Sequence, residues 1–397
     1  MEPIASAEEL TPERLEAIRA ATAELVRPTP VLTSRSLSER CGGVIALKAE
    51  NLQRTGSFKL RGALSKVRAL TGRTDGVVAG SAGNHAQALA YAARAHGLPC
   101  EVYVPDDAPL GKVAAVRSFG ATVHRTSGGV TDCVASARSA AEDGALTFVS
   151  PYDDYDVIAG QAGVGLELAE DVPDLARVVV PVGGGGLAAG VALAIRREHP
   201  AVEVIGVRAA QRGHTIADGI AVKRPGRLTG PLLDEWLTGT VEVEEEPIAE
   251  AMVFLLERSK LLVEGAGAVG VAALMAGVVE PTPEGTTVAI LSGGNIDLAL
   301  LAALATRGET AAGRRVRLFT RVSDQPGGLA ALLSAIAEQN ANLIQIEHVR
   351  DGIDLAVRET GVELTLETQG ADHAQALVAR LGDQGYTLRV VSEDRSG

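Results

Sequence analysis

The sequence of 397 residues is poor in aromatic residues. They make up 3% of the chain and include one tryptophan, whereas hydrophobic residues as a whole reach 46%. An interior built from alanine, valine, leucine and glycine is typical of layered α/β proteins, whose parallel strands are buried on both faces. The length exceeds that of one ordinary domain, so we expect two or three domains.

Cysteine is also scarce. The chain has Cys41, Cys100 and Cys133, an odd number without C-x-x-C spacing. This pattern disfavours a disulfide framework and a zinc site and suits a reducing compartment. We interpret the three thiols as small buried apolar groups.

Long apolar runs and an excess of basic residues are absent as well. The longest apolar run, residues 266–279, is shorter than the ~20 residues that a membrane helix needs. The first residues, "MEPIASAEEL", have neither the basic nor the apolar region of a secretion signal. The net charge of −13 disfavours binding to phosphate backbones. We expect a cytoplasmic protein that binds neither membranes nor nucleic acid.

Short β-branched runs alternate with helical patterns along most of the chain. Strands are predicted at 44–50, 76–80, 101–105, 121–126, 177–182, 202–207 and 286–292. This alternation indicates right-handed βαβ units and an open parallel sheet. Ligands of such sheets bind beyond the C-terminal ends of the strands, so the loops that follow strands are the candidate site.

The pattern changes near the C-terminus. The polar stretch 309–315 is predicted to be a linker, and residues 316–397 have the order strand, helix, strand, strand, helix, strand. This βαββαβ order is ferredoxin-like. We therefore predict a large α/β body, residues 1–308, followed by a small module.

Three glycine-containing loops follow predicted strands: "SAGNHAQ" at 81–87, "GGGGLAAG" at 183–190 and "SGGN" at 292–295. The first two lead into helices, whose free N–H groups and positive dipole ends attract phosphate or carboxylate. Consecutive glycines let an anion approach the backbone closely. Together the loops indicate a phosphorylated cofactor beside a carboxylate substrate, although each alone is also consistent with an ordinary turn.

The tetraglycine has a second interpretation. Gly183, Gly185 and Ala188 fit the dinucleotide fingerprint G-x-G-x-x-A, and Arg208 ends the next strand, where an enzyme that uses NADP can place an arginine. The fingerprint normally lies in the first βα turn of its domain, which disfavours this alternative. An NADP-dependent oxidoreductase stays a second hypothesis.

Lys59 favours a different cofactor. It follows a small polar turn and begins a helical pattern that continues through Leu60, Ala63 and Leu64. A helix N-terminus and partial burial both lower the pKa of an ammonium group, and a neutral amine is the nucleophile that forms a Schiff base. Pyridoxal phosphate requires a lysine as covalent anchor, a loop that binds its phosphate and a polar group beside its ring nitrogen, which the loop 292–295 could supply.

Six segments, "KAENLQRTGSFKLRGA", "SAGNHAQ", "GGGGL", "TIADGIAVKRPG", "VEGAGAVGVAAL" and "LSGGNID", occur in this order. Together they closely resemble the pyridoxal-phosphate-dependent threonine dehydratases (threonine ammonia-lyases) of fold type II, over roughly residues 10–305. The resemblance implies a tryptophan synthase β-like body of two open α/β subdomains, the smaller at roughly 50–150. The segment "DQPGGLAALLSAIAEQNANLIQIEH" resembles an ACT domain, an amino-acid-sensing module.

Carried over to this chain, the resemblance assigns cofactor-binding roles. Lys59 would hold pyridoxal phosphate covalently with Phe58 against the ring, and Asn84 would bond the ring's 3-oxygen. The phosphate would be bound by the backbone of Gly183, Gly184, Gly185, Gly186 and Leu187. Ser292 would face the pyridine nitrogen, and a neutral hydroxyl there makes the ring a weaker electron sink, which suits β-elimination.

The implied reaction is the conversion of L-threonine to 2-oxobutanoate and ammonia, with L-serine giving pyruvate. The substrate carboxylate would be bound by Ser81, Ala82, Gly83, Asn84 and His85. Lys59 would remove the Cα proton as general base. The enzyme would be a carbon–nitrogen lyase of amino-acid metabolism.

Two positions separate the chain from related serine racemases. Those enzymes return a proton from a second serine where this chain has Ala82, and they bind a divalent cation through an acidic residue where it has Arg208. The resemblance therefore favours elimination over racemisation and predicts no metal site. His85 and His214 are candidates for either polar site residues or structural ones.

The ACT-like module is predicted to bind an amino-acid effector at a helix N-terminus, through Asp324, Gly327 and Leu329. Isoleucine and valine are candidate effectors, and the enzyme would be allosteric. Isoleucine biosynthesis and a degradative pathway are both compatible with the sequence. The alternative is that the module only joins subunits of a homodimer or homotetramer. A sensor derived from an inactive enzyme would leave the retention of Lys59 and Ser292 unexplained.

Overall fold

The computed structural model describes residues 2–142, 145–210, 215–350 and 356–391. The chain divides into two compact units, Met1–Ile296 and Asp297–Gly397. The division therefore falls earlier than residue 308, where the sequence pattern placed the end of the α/β body.

The first unit contains short strands and helices in alternation. Its strands are β1 (Val31–Thr33), β2 (Ile45–Lys48), β3 (Gly76–Gly80), β4 (Cys100–Pro105), β5 (Thr122–Thr126), β6 (Leu146–Phe148), β7 (Leu175–Pro181), β8 (Glu203–Ala209), β9 (Gly239–Val243) and β10 (Thr286–Ile290). The seven predicted strands are confirmed, with ends shifted by up to two residues. The strands β1, β6 and β9 were not predicted. β1 and β6 have only three residues each, and β9 is exposed or half-buried at four of its five positions.

Helices connect most of these strands. They are α1 (Pro12–Thr22), α2 (Arg35–Cys41), α3 (Lys59–Leu70), α4 (Asn84–Ala95), α5 (Leu110–Ser118), α6 (Val130–Glu142), α7 (Tyr155–Asp171), α8 (Gly186–Arg196), α9 (Thr229–Trp236), α10 (Glu245–Phe254) and α11 (Gly265–Met275). Within the described ranges, no helix of the chain has both the length and the apolar character needed to cross a membrane.

The larger sheet has six strands in the order β1-β2-β10-β7-β8-β9. All neighbours are parallel except β1, which pairs antiparallel with β2. Because β2, β10 and β7 are adjacent and parallel, the loops that leave their C-terminal ends emerge at one edge of the sheet.

The smaller sheet has the order β5-β4-β3-β6 and is parallel throughout. It lies within the range 50–150 that the resemblance assigned to the smaller subdomain. Strand β3 is buried along its whole length, as expected for a central strand covered on both faces. Each sheet has its own apolar core, one around Val178, Val180 and Leu193 and the other around Val77, Leu89 and Val102.

The second unit consists of α12 (Leu298–Ala311), β11 (Arg315–Ser323), α13 (Gly328–Glu338), β12 (Asn342–Val349), β13 (Glu359–Glu367), α14 (Ala371–Asp383) and β14 (Arg389–Val390). The sheet order β12-β13-β11-β14 is antiparallel and confirms the βαββαβ prediction. The predicted linker 309–315 differs from the structure, because it includes the end of α12 and the first residue of β11. Its polar composition reflects the exposed end of a helix.

The cysteines are unpaired. Cys100 and Cys133 are buried and Cys41 is partly buried. Burial raises the pKa of the Cys100 thiol to about 12, so this group stays protonated at neutral pH. Two of the three thus match the interpretation as small buried groups.

A charged cluster is buried beneath helix α3. The guanidinium of Arg61 donates to both oxygens of Glu50 at 2.8 Å and to those of Glu167 at 2.7 and 2.9 Å. Arg61 is 3% exposed and Glu50 is fully buried. Lys48, at the end of β2, contacts Glu167 at 2.7 Å. The cluster joins the end of β2, helix α3 and helix α7.

Replacing Arg61 with methionine leaves Glu50 as a buried carboxylate without its partner. We expect a loss of about 3–5 kcal/mol in the free energy of unfolding. Trp236 is the one tryptophan of the sequence and lies in the first unit, so its fluorescence during urea unfolding reports on this unit. The control is Arg19→Met, whose pairs with Glu16 and Glu170 are more exposed and should change stability by less than about 1 kcal/mol. Equal effects of the two variants would contradict the prediction.

Candidate active site

Lys59 is the first residue of α3, so its side chain lies where the helix dipole opposes a positive charge. Its Nζ donates to the backbone oxygen of Pro151 at 2.8 Å and lies 5.0 Å from the centre of the Phe58 ring. Burial lowers the pKa of Lys59 to about 8, although the charge of Glu264 opposes the shift. Roughly a tenth of the amine is then neutral at pH 7. The predicted nucleophile therefore lies beside an aromatic wall with a lowered pKa.

The loop after β10 pairs with the turn that precedes Lys59. Phe58 N donates to Ser292 O at 3.0 Å, and Gly294 N donates to Gly56 O at 2.9 Å. The hydroxyl of Ser292 is buried and makes one long contact, 3.4 Å, to the oxygen of Ala266. This hydroxyl can still form a strong hydrogen bond with a ring nitrogen.

The tetraglycine connects β7 to α8 and is buried. None of the hydrogen bonds found within the described ranges uses the N–H of Gly183, Gly184 or Gly185 as its donor. The N–H groups of the first helical turn, which begins at Gly186, also lack partners within the helix. Buried N–H groups are costly when unpaired. An anion at this helix N-terminus would satisfy them.

Close packing explains why glycine is needed in this loop. A Cβ on Gly184 would lie 2.2 Å from the ring of Tyr152, and one on Gly183 would lie 2.8 Å from the Cα of Ile220. Gly185 has φ +94°, a conformation that favours glycine. Thr229 fixes the loop from outside, since its hydroxyl donates to Gly184 O at 2.6 Å.

The loop 81–85 leaves β3 and enters α4 at Asn84. Gly83 N donates to the hydroxyl of Ser81 at 3.2 Å, which shapes the turn before the helix. The ring Nε2 of His85 donates to Val149 O at 2.9 Å. Burial, followed by the charge of Lys59, lowers the pKa of His85 to about 3, so the imidazole is neutral. The His85 side chain is thus held by a backbone oxygen and carries no charge at neutral pH. Ala82 presents no hydroxyl to the site.

Glu264 and Asn295 are residues of the site that the sequence analysis missed. Glu264 is 6% exposed, and its Oε1 accepts a hydrogen bond from Asn84 Nδ2 at 2.6 Å. Asn295 Nδ2 donates to Asn84 Oδ1, also at 2.6 Å. Burial, followed by the negative charge of Asp218, raises the pKa of Glu264 to about 7. Both residues lie inside recognised segments, but no local pattern shows that their side chains reach Asn84.

The side chain of Arg208 forms hydrogen bonds with the protein backbone. Its guanidinium donates to the backbone oxygens of Val222 and Lys223 at 3.3 and 2.9 Å. The side chain thus supports the segment that follows β8. In the part of the chain that the structure describes, no group of three or more His, Cys, Asp or Glu side chains is arranged to hold a metal ion. His214 lies outside the described residues.

The three candidate effector residues lie in the second unit. Asp324 is exposed and pairs with Arg350 at 2.9 Å. Gly327 has φ +97° and precedes the first residue of α13. Leu329 packs against the apolar core of the unit. Asp324 and Gly327 are thus at the surface, whereas Leu329 is half-buried.

Pyridoxal phosphate fits these residues. The buried N–H groups of the glycine loop match its phosphate, and the close approach of Tyr152 and Ile220 requires glycine at positions 184 and 183. A lysine of lowered pKa matches its aldehyde, and the weakly bonded hydroxyl of Ser292 matches its ring nitrogen.

Comparisons with known proteins agree with this chemistry. Residues 22–293 match the family described as pyridoxal-phosphate dependent enzyme, and residues 316–385 match the ACT domain. An L-threonine ammonia-lyase from Geobacter sulfurreducens is 44% identical, with 92% of this chain and 96% of the relative covered.

Solved structures give the same assignment. The processed form of threonine deaminase isoform 2 from Solanum lycopersicum is 30% identical with a TM-score of 0.70, covering 77% of this chain and 95% of that chain. The serine racemase from Dictyostelium discoideum is 33% identical with a TM-score of 0.68, covering 72% of this chain and 99% of that chain. This chain belongs to the pyridoxal-phosphate-dependent enzymes of fold type II and carries a C-terminal ACT domain.

Proposed function

We propose that this protein is an L-threonine ammonia-lyase that converts L-threonine to 2-oxobutanoate and ammonia and acts on L-serine by the same route to give pyruvate. The observation that carries the proposal is the position of Lys59, which has a lowered pKa and directly follows Phe58, whose N–H donates to Ser292 O. Among the described residues, no hydrogen bond uses the buried N–H groups of residues 183–185 as its donor. The 44% identity to an L-threonine ammonia-lyase over most of both chains supports the choice of substrate.

The geometry supports a binding role for each of these residues. The N–H groups of residues 183–187 would hold the phosphate of the cofactor, Ser292 would face its ring nitrogen, and Phe58 would pack on the ring. The N-terminus of α4, with Ser81 and Gly83, would receive the carboxylate of the substrate, because free N–H groups and the helix dipole both favour an anion there.

Lys59 would act in two ways. It would hold the cofactor, and once released it would remove the Cα proton of the substrate as a general base, since its pKa of about 8 lies close to the working pH. Pyridoxal phosphate, when bound, supplies the electron sink that makes this proton acidic. The hydroxyl at Cβ would then leave as water with the proton that Lys59 removed from Cα, and hydrolysis of the released enamine would give the oxo acid and ammonia. Because the hydroxyl of Ser292 is neutral, the cofactor ring would be a weaker electron sink, which favours elimination.

Racemisation is the alternative reaction for this fold, as the serine racemase relative illustrates. It requires a second group that returns a proton to the face of Cα opposite the lysine. Ala82 lies in the loop 81–85 and has no ionisable atom. This residue supports elimination over racemisation.

The dinucleotide alternative has less support. Arg208 donates to two backbone oxygens, so its guanidinium has partners without a 2′-phosphate. The glycine loop follows β7 in the middle of the sheet, whereas the dinucleotide fingerprint belongs to the first βα turn of its domain. The family match also lies with pyridoxal phosphate.

For the ACT domain we propose that it binds an amino-acid effector near Asp324 and Gly327, across an interface between subunits of a homo-oligomer. The helix N-terminus of α13 and the exposed carboxylate of Asp324 would recognise the carboxylate and amino groups of the effector.

The Lys59→Ala variant tests the catalytic assignment. Wild-type protein reconstituted with pyridoxal phosphate should have a visible absorption band that L-threonine perturbs while 2-oxobutanoate accumulates. The variant should lose turnover by about 10²-fold to 10⁴-fold or more, because the general base is missing. The control Lys66→Arg keeps a cation on the same helix and should retain activity. A variant with normal turnover, or a wild-type protein that binds NADPH and stays colourless with pyridoxal phosphate, would contradict the proposal.

Gly184→Ala tests the phosphate loop. The new methyl group would overlap the Tyr152 ring and displace the loop. We expect the affinity for pyridoxal phosphate to fall by about tenfold or more, which is about 1.4 kcal/mol. The matched control is Gly230→Ala in α9, where an added Cβ meets no atom within 4 Å, so equilibrium dialysis should give the wild-type affinity. Equal affinities for wild type and Gly184→Ala would contradict the assignment.

Effector binding to the ACT domain is tested with isoleucine and valine. At a concentration 100 times its Kd, a ligand stabilises the protein by about 2.7 kcal/mol, so the effector should raise the melting temperature and change the rate with threonine. Asp324→Ala should remove both effects, whereas Asp372→Ala, at the start of α14, should preserve them. If neither amino acid alters rate or melting temperature, the effector proposal is wrong and the module only joins subunits.

A further inference from the structure

Glu264 immediately precedes helix α11 and so lies at its N-cap position. Short polar side chains such as Ser, Thr, Asp and Asn commonly accept hydrogen bonds from the first turn at this position. Here the side chain makes no capping bond. Its Oε1 instead accepts from Asn84 Nδ2 at 2.6 Å, across 180 residues of sequence. The carboxylate is therefore directed at the amide of a site residue.

The other end of the Asn84 amide is also held. Its Oδ1 accepts from Asn295 Nδ2 at 2.6 Å, and the same nitrogen of Asn295 donates to Thr55 O at 2.9 Å. An ionised carboxylate can only accept and an NH₂ group can only donate. These partners leave one orientation of the Asn84 amide, with Nδ2 toward Glu264 and Oδ1 toward Asn295.

We propose that Glu264 and Asn295 are positioning residues that orient the Asn84 amide, so that the second N–H of its Nδ2 is available to the 3-oxygen of the cofactor ring. The inference rests on the proposed function, because it takes Asn84 to face that oxygen. An amide held at both ends loses little freedom when the cofactor binds, and this preorganisation increases affinity.

The charges around Glu264 determine the pH at which its hydrogen bond to the Asn84 amide is strongest. Lys112 on α5, Asp218, Lys59 on α3 and Asn84 on α4 all interact with the carboxylate, and burial with Asp218 raises its pKa to about 7. The pKa is raised in the folded protein, so the charged form that accepts best from Asn84 is present above pH 7 and is lost as the pH falls through that value. Below pH 7 the hydrogen bond between Glu264 and the Asn84 amide should therefore weaken.

A double-mutant cycle on the affinity for pyridoxal phosphate tests the inference. We expect Glu264→Ala and Asn84→Ala each to weaken binding about tenfold, and the double variant to bind as Asn84→Ala does, within about twofold. Glu264→Gln keeps the shape of the side chain and remains usable if the alanine variant is unstable. Between pH 6 and 8, the affinity of the wild type should change as Glu264 ionises. The affinity of Glu264→Gln should lack this contribution, because glutamine does not ionise. Glu101→Gln, a carboxylate beside His124 outside the site, is the control for the loss of one charge.

The outcomes separate this inference from the proposed function. If wild type binds pyridoxal phosphate and converts threonine while Glu264→Ala binds equally tightly, the inference alone is overturned. Effects of Glu264→Ala that multiply with those of Asn84→Ala also overturn it, since Glu264 would then act independently of Asn84. A wild-type protein that neither binds the cofactor nor converts threonine overturns the proposed function itself.

Discussion

A guanidinium enclosed by two carboxylates holds the helix that carries Lys59. Arg61 lies two residues after the lysine, and its partners come from the turn after β2, Glu50, and from α7, Glu167. Any movement of the start of α3 would separate buried charges, which is strongly unfavourable. The network therefore fixes the backbone at Lys59, and a displacement of about 1 Å at a catalytic group can cost about 10²-fold in rate. A buried ionic cluster that contributes little net stability can still position a nucleophile in this way.

The order of the strands brings the remaining groups to the lysine. In the larger sheet β2, β10 and β7 are neighbours, and this order places the turn before Lys59, the hydroxyl of Ser292 and the glycine loop at adjacent strand ends. The loop 81–85 comes from the smaller sheet and supplies Asn84. The site thus combines one edge of the larger sheet with a loop from the smaller one, as open α/β sheets commonly do. No single segment of the chain contains the site.

Local patterns were enough to predict some of these features. The seven predicted strands, the C-terminal βαββαβ order and the three glycine loops each have a signal within about ten residues of sequence, because a strand or a sharp turn restricts residue type. The strands β1, β6 and β9 have no such signal, and the polar end of α12 resembles a linker. The contacts of Glu264 and Asn295 with Asn84 join residues 180 and 211 positions apart. Only the folded sheet order creates those contacts, so sequence periodicity has no means of predicting them.

The electrostatics of the site support the proposal that backbone amides bind the phosphate of the cofactor. Burial is the main cause that lowers the pKa of Lys59 to about 8, raises the pKa of Glu264 to about 7 and keeps His85 uncharged, so the amine and the carboxylate both titrate close to neutral pH. A cation placed beside Lys59 would lower its pKa further but would also compete for the substrate carboxylate. Amide N–H groups at the start of α8 bind an anion with partial charges that do not titrate. A phosphate bound in this way would lie near Lys59 without adding a group that competes with its amine for the Cα proton of the substrate.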